Sequence, residues 1–232
     1  MRITERQTSG LCGGTLLTSR VVLSAAHCHF HDSGHSVPPQ MMHVYLGDYD
    51  ARTQDLGEER AGVSRYINHP QYNGYSMDND LSLIFLNRDI KFTATIYPAC
   101  LDNPGRNYEN TQVTAAGWGM DEWGDANNIL KQVDLTTINN QRCHYLLRNG
   151  LPDYLLPELP DVSDNMICAT GHFKGTCNGD SGGPLMLKGS KTVIGVTSWG
   201  QQSCNLNVPS VFARVSSQLS WIRAYAGRIC IN

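Results

Sequence analysis

The six residues from Gly179 to Pro184 read GDSGGP and carry the strongest signal in the chain. Glycines on both sides of a serine permit a tight backbone turn that exposes the hydroxyl group and turns amide N–H groups toward it. That arrangement suits acyl transfer, in which a hydroxyl oxygen attacks a carbonyl carbon. Ser181 is therefore a candidate nucleophile.

Two other segments supply the groups that a serine nucleophile needs. Because a serine hydroxyl is a weak nucleophile, an imidazole must take its proton, and a carboxylate must orient the imidazole and stabilise its charged form. His27 follows an apolar run and precedes Cys28, and Asp80 lies at the edge of the apolar run 81–86. A carboxylate at the edge of a buried strand needs hydrogen-bond partners. We expect His27, Asp80 and Ser181 to converge from different loops.

From about residue 11 to residue 222, the chain resembles the chymotrypsin-like (trypsin-type) serine proteases. The resemblance rests on six segments in the family's order, which are CGGTL at 12–16, AAHC at 25–28, DL at 80–81, GWG at 117–119, GDSGGP at 179–184 and SWG at 198–200. It implies a secreted serine endopeptidase with His27, Asp80 and Ser181 as catalytic residues and the N–H groups of Gly179 and Ser181 as the oxyanion hole. The chain order of histidine, acid and serine excludes the common lipase and esterase fold, whose order is serine, acid, histidine.

The pattern of apolar runs predicts an all-β fold. Runs rich in branched and aromatic residues recur between turn signals, at 20–23, 42–46, 81–86, 112–115, 192–197 and 211–215. The resemblance implies two six-stranded antiparallel β-barrels followed by a C-terminal helix. We expect a single peptidase domain, 1–232, with the first barrel at about 1–97, a connector at 98–108, the second barrel at 109–216 and the helix at 217–228.

Eight cysteines predict disulfide bonds and an oxidising, extracellular compartment. None of them forms a C-x-x-C pair, so a structural zinc cluster is not expected. The resemblance implies three bonds, Cys12 to Cys28, Cys143 to Cys168 and Cys177 to Cys204. Two alternatives stay open for the remaining pair, since Cys100 either bonds to Cys230 or tethers a pro-segment.

The resemblance also assigns the pocket for the side chain that precedes the cleaved bond. Its base is Gly175, and its other residues are Thr176, Asn178, Ser198, Trp199, Gly200 and Ser210. None of these residues carries a carboxylate, so a buried Arg or Lys of the substrate would be left unpaired. Gly200 leaves the entrance open and Ser210 shortens the floor. These features favour cleavage after apolar residues, as in chymotrypsin-like or elastase-like enzymes.

Charge and composition restrict the partners. The net charge is −3 without a long run of like charges, which predicts neither a nucleic-acid nor a membrane partner. We expect protein or peptide substrates, a proteinaceous inhibitor and a monomer that needs no cofactor. The histidines around Cys28 could suggest a metal site, but the resemblance already uses His27 and Cys28, so none is expected. One acidic loop allows two interpretations, since it either binds calcium or is solvated by water. Its acidic residues are Asp48, Asp50, Asp55, Glu58 and Glu59.

The start of the chain provides the main alternative. In the family, activation frees an amino terminus that pairs with the aspartate before the nucleophile, which is Asp180 here. Because only eleven residues precede Cys12, we expect the activation segment to be missing and the activity of the chain to be low until it is restored. The alternative function is a noncatalytic or zymogen-like protease homologue that acts as a binding or regulatory module.

Overall fold

The computed structural model describes residues 1–5, 11–31, 33–200, 204 and 207–232. Within these ranges the chain forms fifteen strands, which are β1 (Arg2–Glu5), β2 (Leu11–Gly13), β3 (Thr15–Leu16), β4 (Val21–Ser24), β5 (Met42–Leu46), β6 (Glu59–Asn68), β7 (Ser82–Leu86), β8 (Cys100–Leu101), β9 (Gln112–Gly117), β10 (Lys131–Ile138), β11 (Met166–Thr170), β12 (Pro184–Leu187), β13 (Thr192–Trp199), β14 (Ser210–Arg214) and β15 (Cys230–Ile231). The helical elements are α1 (Asn140–Gly150), α2 (Leu219–Ala226) and 3₁₀ turns at His27–His29, Pro39–Met41, Asp153–Glu158 and Ser216–Gln218. No helix in the described part of the chain is long and apolar enough to cross a membrane.

The first barrel consists of six strands, because β2 and β3 are one extended segment interrupted only at Gly14. The strands neighbour one another in the order β2, β1, β5, β6, β7, β4, β3, so this segment pairs at both of its ends and closes the sheet. A Cβ at Gly14 would lie 2.8 Å from Cγ1 of Val22 and 3.1 Å from Cδ1 of Ile3. A larger residue would therefore not fit between the packed side chains of the barrel.

The second barrel also contains six strands in a closed ring. Strands β12, β9, β10, β11, β14 and β13 follow one another, and β12 also pairs with β13. Two short strands extend this sheet, since β8 lies parallel to β13 and β15 lies parallel to β8. The predicted fold class, two six-stranded antiparallel barrels with a C-terminal helix, is confirmed.

The helices differ from the prediction in number and length. Helix α2 covers Leu219–Ala226 rather than 217–228, because a 3₁₀ turn precedes it and Gly227 ends it with a positive φ of 74°. Helix α1 was not predicted. Its start is nevertheless encoded locally, since the side chain of Asn139 caps the helix by accepting the N–H of Arg142 at 2.8 Å.

Candidate active site

Three loops bring the predicted catalytic side chains together. His27 starts the 3₁₀ turn after β4, Asp80 lies just before β7, and Ser181 lies in the loop between β11 and β12. His27 and Ser181 line one cleft of about 500 Å³. The side chain of Asp80 is fully buried behind His27, whose own side chain is 26% exposed.

Asp80 holds His27 through two separate hydrogen bonds. Nδ1 of His27 lies 2.7 Å from Oδ2 of Asp80, and the backbone N–H of His27 donates to Oδ1 at 2.9 Å. The hydroxyl of Ser198 donates to Oδ2 at 2.5 Å. Because Nδ1 faces the carboxylate, the proton of a neutral His27 lies on Nδ1, which leaves Nε2 free to accept a proton.

The pKa values of this pair follow from burial and mutual attraction. Burial alone would lower the pKa of His27, but the adjacent Asp80 carboxylate stabilises the imidazolium and the pKa is raised above its usual value. Burial alone would raise the pKa of Asp80, but the charge of His27 and the hydrogen bonds from His27 and Ser198 hold it below its usual value. Asp80 therefore stays ionised, as a group that stabilises a charged imidazole must.

Backbone contacts across the barrel interface fix the loop that carries Ser181. The N–H of Gly13 in β2 donates to the carbonyl of Ser181 at 2.7 Å, and the N–H of Gly182 donates to the carbonyl of Thr197 at 2.8 Å. Gly182 has a φ of +76°, and a Cβ there would lie 2.6 Å from the carbonyl oxygen of Gly13. Only glycine fits this position without strain.

The backbone around the nucleophile leaves two N–H groups available. Gly179 has a φ of +97°, a conformation that favours glycine. Within the described ranges, the N–H groups of Gly179 and Ser181 donate to no protein acceptor, whereas the N–H of Asp180 donates to the carbonyl of Cys177 at 2.9 Å. Unpaired donors beside a nucleophile are the groups from which an oxyanion hole is built.

Backbone N–H groups hold the carboxylate of Asp180 in place. Its two carboxylate oxygens accept the N–H groups of Gly119 and Cys177, both at 2.9 Å. A Cβ at Gly119 would lie 2.5 Å from the carboxylate, and one at Gly117 would also clash with it. The two glycines of the GWG segment therefore leave room for the carboxylate of Asp180. Burial raises the pKa of Asp180, and no ion pair to it is present among the described residues.

Five of the seven predicted pocket residues line the cleft, and two do not. The five that line it with His27 and Ser181 are Thr176, Asn178, Ser198, Trp199 and Gly200. Ser210 is buried and its hydroxyl accepts the N–H of Thr176 at 3.0 Å, which satisfies that oxygen. Gly175 instead lines a separate cavity of about 190 Å³ that also contacts Asp180.

The cleft extends beyond the residues that the sequence identified. Cys177 and Thr197 of β13 also line it, and six further lining residues are Tyr75, Met77, Leu151, Glu158, Leu159 and Pro160. These six come from the loop before Asp80 and from the segment around the 3₁₀ turn Asp153–Glu158. Because these residues belong to irregular segments without a local pattern, the sequence offered no signal for them.

Four disulfide bonds join Cys12 to Cys28, Cys143 to Cys168, Cys177 to Cys204 and Cys100 to Cys230. The first anchors the turn that carries His27 to β2. The last joins β8 to β15, so the alternative in which Cys100 tethers a separate segment does not describe this fold. The backbone N–H of Asn232 adds a hydrogen bond to the carbonyl of Leu101 at 3.0 Å.

The acidic loop brings together three of its five predicted carboxylates. Oxygens of Asp48, Asp55 and Glu58 lie within 4.8 Å of one another, whereas Asp50 pairs with Arg52 and Glu59 pairs with Arg88. The buried Oδ1 of Asp48 has no hydrogen-bond partner in the described part of the chain, and oxygen ligands suit calcium. The other oxygen of Asp48 bonds to Nε of Arg2 at 2.5 Å, so one of the three charges is already balanced.

A buried histidine, His29, ends the 3₁₀ turn that His27 starts. It stacks on Tyr66 with the ring centroids 4.1 Å apart, and neither of its ring nitrogens has a hydrogen-bond partner among the residues that the structure describes. Burial, with a further contribution from nearby His27, lowers its pKa from 6.5 to about 3. His29 is therefore neutral in the folded protein at neutral pH.

This burial predicts acid sensitivity. Below pH 6.5 the unfolded chain protonates His29 but the folded chain does not until about pH 3, so the free energy of unfolding falls as pH falls through this window. The slope from one such group is about 1.4 kcal/mol per pH unit. Urea unfolding of His29→Phe from pH 7 to pH 4 should show a smaller loss of stability than the wild type. The exposed control His35→Phe should follow the wild type, and equal slopes in all three proteins would contradict the prediction.

Comparisons with known proteins agree with this geometry. The sequence profile of the Trypsin family matches residues 2–222. Vitamin K-dependent protein C of Mus musculus is 32% identical over 230 residues, covering 93% of this chain and 46% of the relative. Suppressor of tumorigenicity 14 protein homolog of Bos taurus is 34% identical over 94% of this chain and 25% of its own length. CLIP domain-containing serine protease B4 of Anopheles gambiae is 34% identical over 91% of this chain and 61% of its own length. The chain thus spans between 25% and 61% of the length of these relatives.

Proposed function

Since the chain belongs to the trypsin family of serine proteases, we propose that it hydrolyses peptide bonds of protein substrates through an acyl-enzyme. The observation that carries this proposal is the buried Asp80 bonded to Nδ1 of His27, with His27 and Ser181 lining one cleft. Nothing in the proposed reaction needs a cofactor. A calcium ion held by Asp48, Asp55 and Glu58 would stabilise the loop without entering the chemistry.

The proposed reaction has two halves. In the first, Oγ of Ser181 attacks the substrate carbonyl carbon while Nε2 of His27 takes the hydroxyl proton. The carbonyl oxygen becomes an oxyanion that accepts the N–H groups of Gly179 and Ser181. His27 then gives its proton to the departing amine, and an ester with Ser181 remains. In the second half, Nε2 of His27 takes a proton from water while the water oxygen attacks the ester carbonyl carbon. His27 then returns this proton to Oγ of Ser181 as the ester bond breaks, and the carboxylic acid product leaves.

We assign Asp180 to the activation ion pair. Its carboxylate contacts a cavity of about 190 Å³ and bonds to the backbone of Cys177, which immediately precedes the oxyanion loop. A cation that entered this cavity would balance a half-buried charge and thereby fix the loop. A free amino terminus is a cation of suitable size.

The pocket supports a preference for apolar side chains before the cleaved bond. Its lining residues Thr176, Asn178, Ser198, Trp199 and Gly200 carry no charge, and the hydroxyl of Ser210 already accepts the N–H of Thr176. The carboxylate of Glu158 lies on the exposed part of the cleft, where water already solvates it. A buried guanidinium would thus lack a partner.

Peptide hydrolysis tests both the reaction and the preference. We expect peptides with Leu or Phe before the cleaved bond to have kcat/KM at least about 100-fold above the Arg peptide, since an unpaired buried cation costs several kcal/mol. Ser181→Ala should abolish both activities. Ser210→Asp should reverse the preference, because a carboxylate there would pair with the guanidinium, whereas the exposed control Ser220→Asp should not. Faster hydrolysis of the Arg peptide by the wild type would refute the preference alone.

We also propose a compartment, an inhibitor and an oligomeric state for this protein. Four disulfide bonds support secretion into an oxidising, extracellular compartment. An open cleft whose walls come from surface loops can also accept a proteinaceous inhibitor that mimics a substrate. We propose a monomer, because one chain contains every side chain that the reaction uses.

A further inference from the structure

A closed ring of hydrogen bonds ties the loop that carries Asp80 to the second barrel. Four side chains form this polar ring, and they are Asp78, Asn79, Asn165 and Gln218. The Nδ2 groups of Asn79 and Asn165 both donate to Oδ2 of Asp78, at 3.2 and 3.3 Å. Nε2 of Gln218 donates to Oδ1 of both asparagines, at 2.6 and 3.2 Å. Each donor thus meets an acceptor around the ring.

The polar ring joins three parts of the fold that are distant in sequence. Asp78 and Asn79 precede β7 in the first barrel, Asn165 precedes β11 in the second, and Gln218 ends the 3₁₀ turn before α2. Ser163 strengthens the crossing by donating its hydroxyl to Oδ1 of Asp78 at 2.6 Å. The ring therefore fixes a loop of the first barrel relative to the second.

Asn79 is the member that transmits this constraint to the catalytic carboxylate. It directly precedes Asp80, is 7% exposed, and has a positive φ of 55°, which is uncommon for any residue other than glycine. Its Nδ2 also donates to the carbonyl of Gln71 at 3.1 Å. A strained backbone conformation persists only where several surrounding contacts hold it in place. The hydrogen bonds of the polar ring provide such contacts.

Gln218 is the central member because one nitrogen of its amide serves both asparagines. Nε2 donates to Oδ1 of Asn79 and to Oδ1 of Asn165. An amide oxygen in the same place would face two acceptors, so these contacts select one orientation of the amide.

We propose that the polar ring positions Asp80 against His27 across the two barrels, with Gln218 as its central positioning residue. The proposal rests on the proposed function, in which Asp80 orients His27. The nucleophile and the oxyanion donors belong to the second barrel, whereas His27 and Asp80 belong to the first. Contacts between the barrels therefore align His27 and Asp80 with the nucleophile and the oxyanion donors. The polar ring provides several of these contacts beside Asp80.

Kinetics and NMR of ring variants test the proposal. Gln218→Met keeps the length of the side chain and removes its amide, and Asn165→Ala removes a second member. We expect each to lower kcat about 10-fold per titrated active site with KM within about twofold, since a small misplacement of a catalytic group costs up to 10²-fold. The double variant should lose little more than either single one. Misalignment of Asp80 should also lower the pKa of His27, followed by NMR, by about 0.5 unit.

Two controls separate positioning from stability. Ile222→Val removes a buried methylene from α2 without touching the ring, so it should lower the melting temperature but leave kcat and the pKa of His27 unchanged. Gln132→Met on the exposed side of β10 should change nothing. Ring variants that lose stability yet keep the kcat and the His27 pKa of the wild type would overturn the proposal. A wild-type Ser181 that cannot be titrated would refute the proposed function instead, and the NMR pKa of His27 would still decide the role of the ring.

Discussion

Replacing Asp80 by asparagine should lower kcat about 10⁴-fold while the protein stays folded, the loss that this substitution causes in a serine protease with the same triad. The hydrogen bonds determine how the new amide lies. Its oxygen will keep the N–H of His27, now accepted by Oδ1 at 2.9 Å, and its nitrogen will then face Nδ1 of His27, now 2.7 Å from Oδ2. An amide that donates to Nδ1 forces the imidazole proton onto Nε2, so His27 cannot accept the proton of Ser181.

The measurement is peptide hydrolysis by Asp80→Asn, with circular dichroism as a check of folding. Asp89→Asn is a matched control, because Asp89 is exposed and its carboxylate bonds to the hydroxyl of Ser19 and pairs with the exposed Arg20. The control should retain the activity of the wild type. An Asp80→Asn variant within tenfold of the wild type would mean that Asp80 does not set the tautomer of His27.

Gly182→Ala should be the most damaging change of a single methyl group. The residue follows Ser181, its φ is +76°, and a Cβ would clash with Oγ of Ser24 and lie 2.6 Å from the carbonyl of Gly13. The positive φ costs about 1–2 kcal/mol, and displacing packed backbone costs about 1–3 kcal/mol more. Because Gly182 lies next to the nucleophile, we also expect kcat/KM to fall at least about 100-fold.

Gly189→Ala separates these two contributions. Gly189 has a nearly identical φ of +73°, but nothing lies within 4 Å of a Cβ there. Both variants should lose melting temperature through the backbone strain, and Gly182→Ala should lose about 4–8 °C more for each additional 2 kcal/mol. Gly189→Ala should keep full activity. Equal melting temperatures for the two variants would show that the contact at the barrel interface carries no cost.

Features that depend on a short stretch of sequence, such as a strand or a motif, could be predicted from the sequence. The strand Met42–Leu46 has the predicted bounds, since its buried residues alternate with partly exposed ones. His27, Asp80 and Ser181, which we propose as the catalytic residues, each lie in a separate motif. The GWG segment was recognised as part of the resemblance, but its physical reason, room for the carboxylate of Asp180, required the fold.

What the sequence could not predict depends on contacts between distant segments. The polar ring joins residues up to 140 positions apart. Two of its members, Asp78 and Asn79, directly precede the DL motif at 80–81, whereas the other two lie in no motif that the sequence analysis recognised. The bond between Cys100 and Cys230 follows from β8 and β15 lying side by side, a pairing of two-residue strands too short to show a pattern. The hydrogen bond from the N–H of Thr176 to the hydroxyl of Ser210 likewise joins two segments that are distant in sequence.

Intact mass spectrometry after treatment with a fluorophosphonate tests whether Ser181 is an activated nucleophile, because the reagent labels only a serine that a neighbouring base activates. The wild type and Ser181→Ala are compared, each with and without a short peptide that begins with an apolar residue and whose free amino terminus can serve as the cation for Asp180. We expect one adduct per wild-type chain, located at Ser181 and increased by the peptide, and none on Ser181→Ala. An unlabelled wild type under both conditions, or an adduct that persists in Ser181→Ala, would show that Ser181 is not the activated nucleophile.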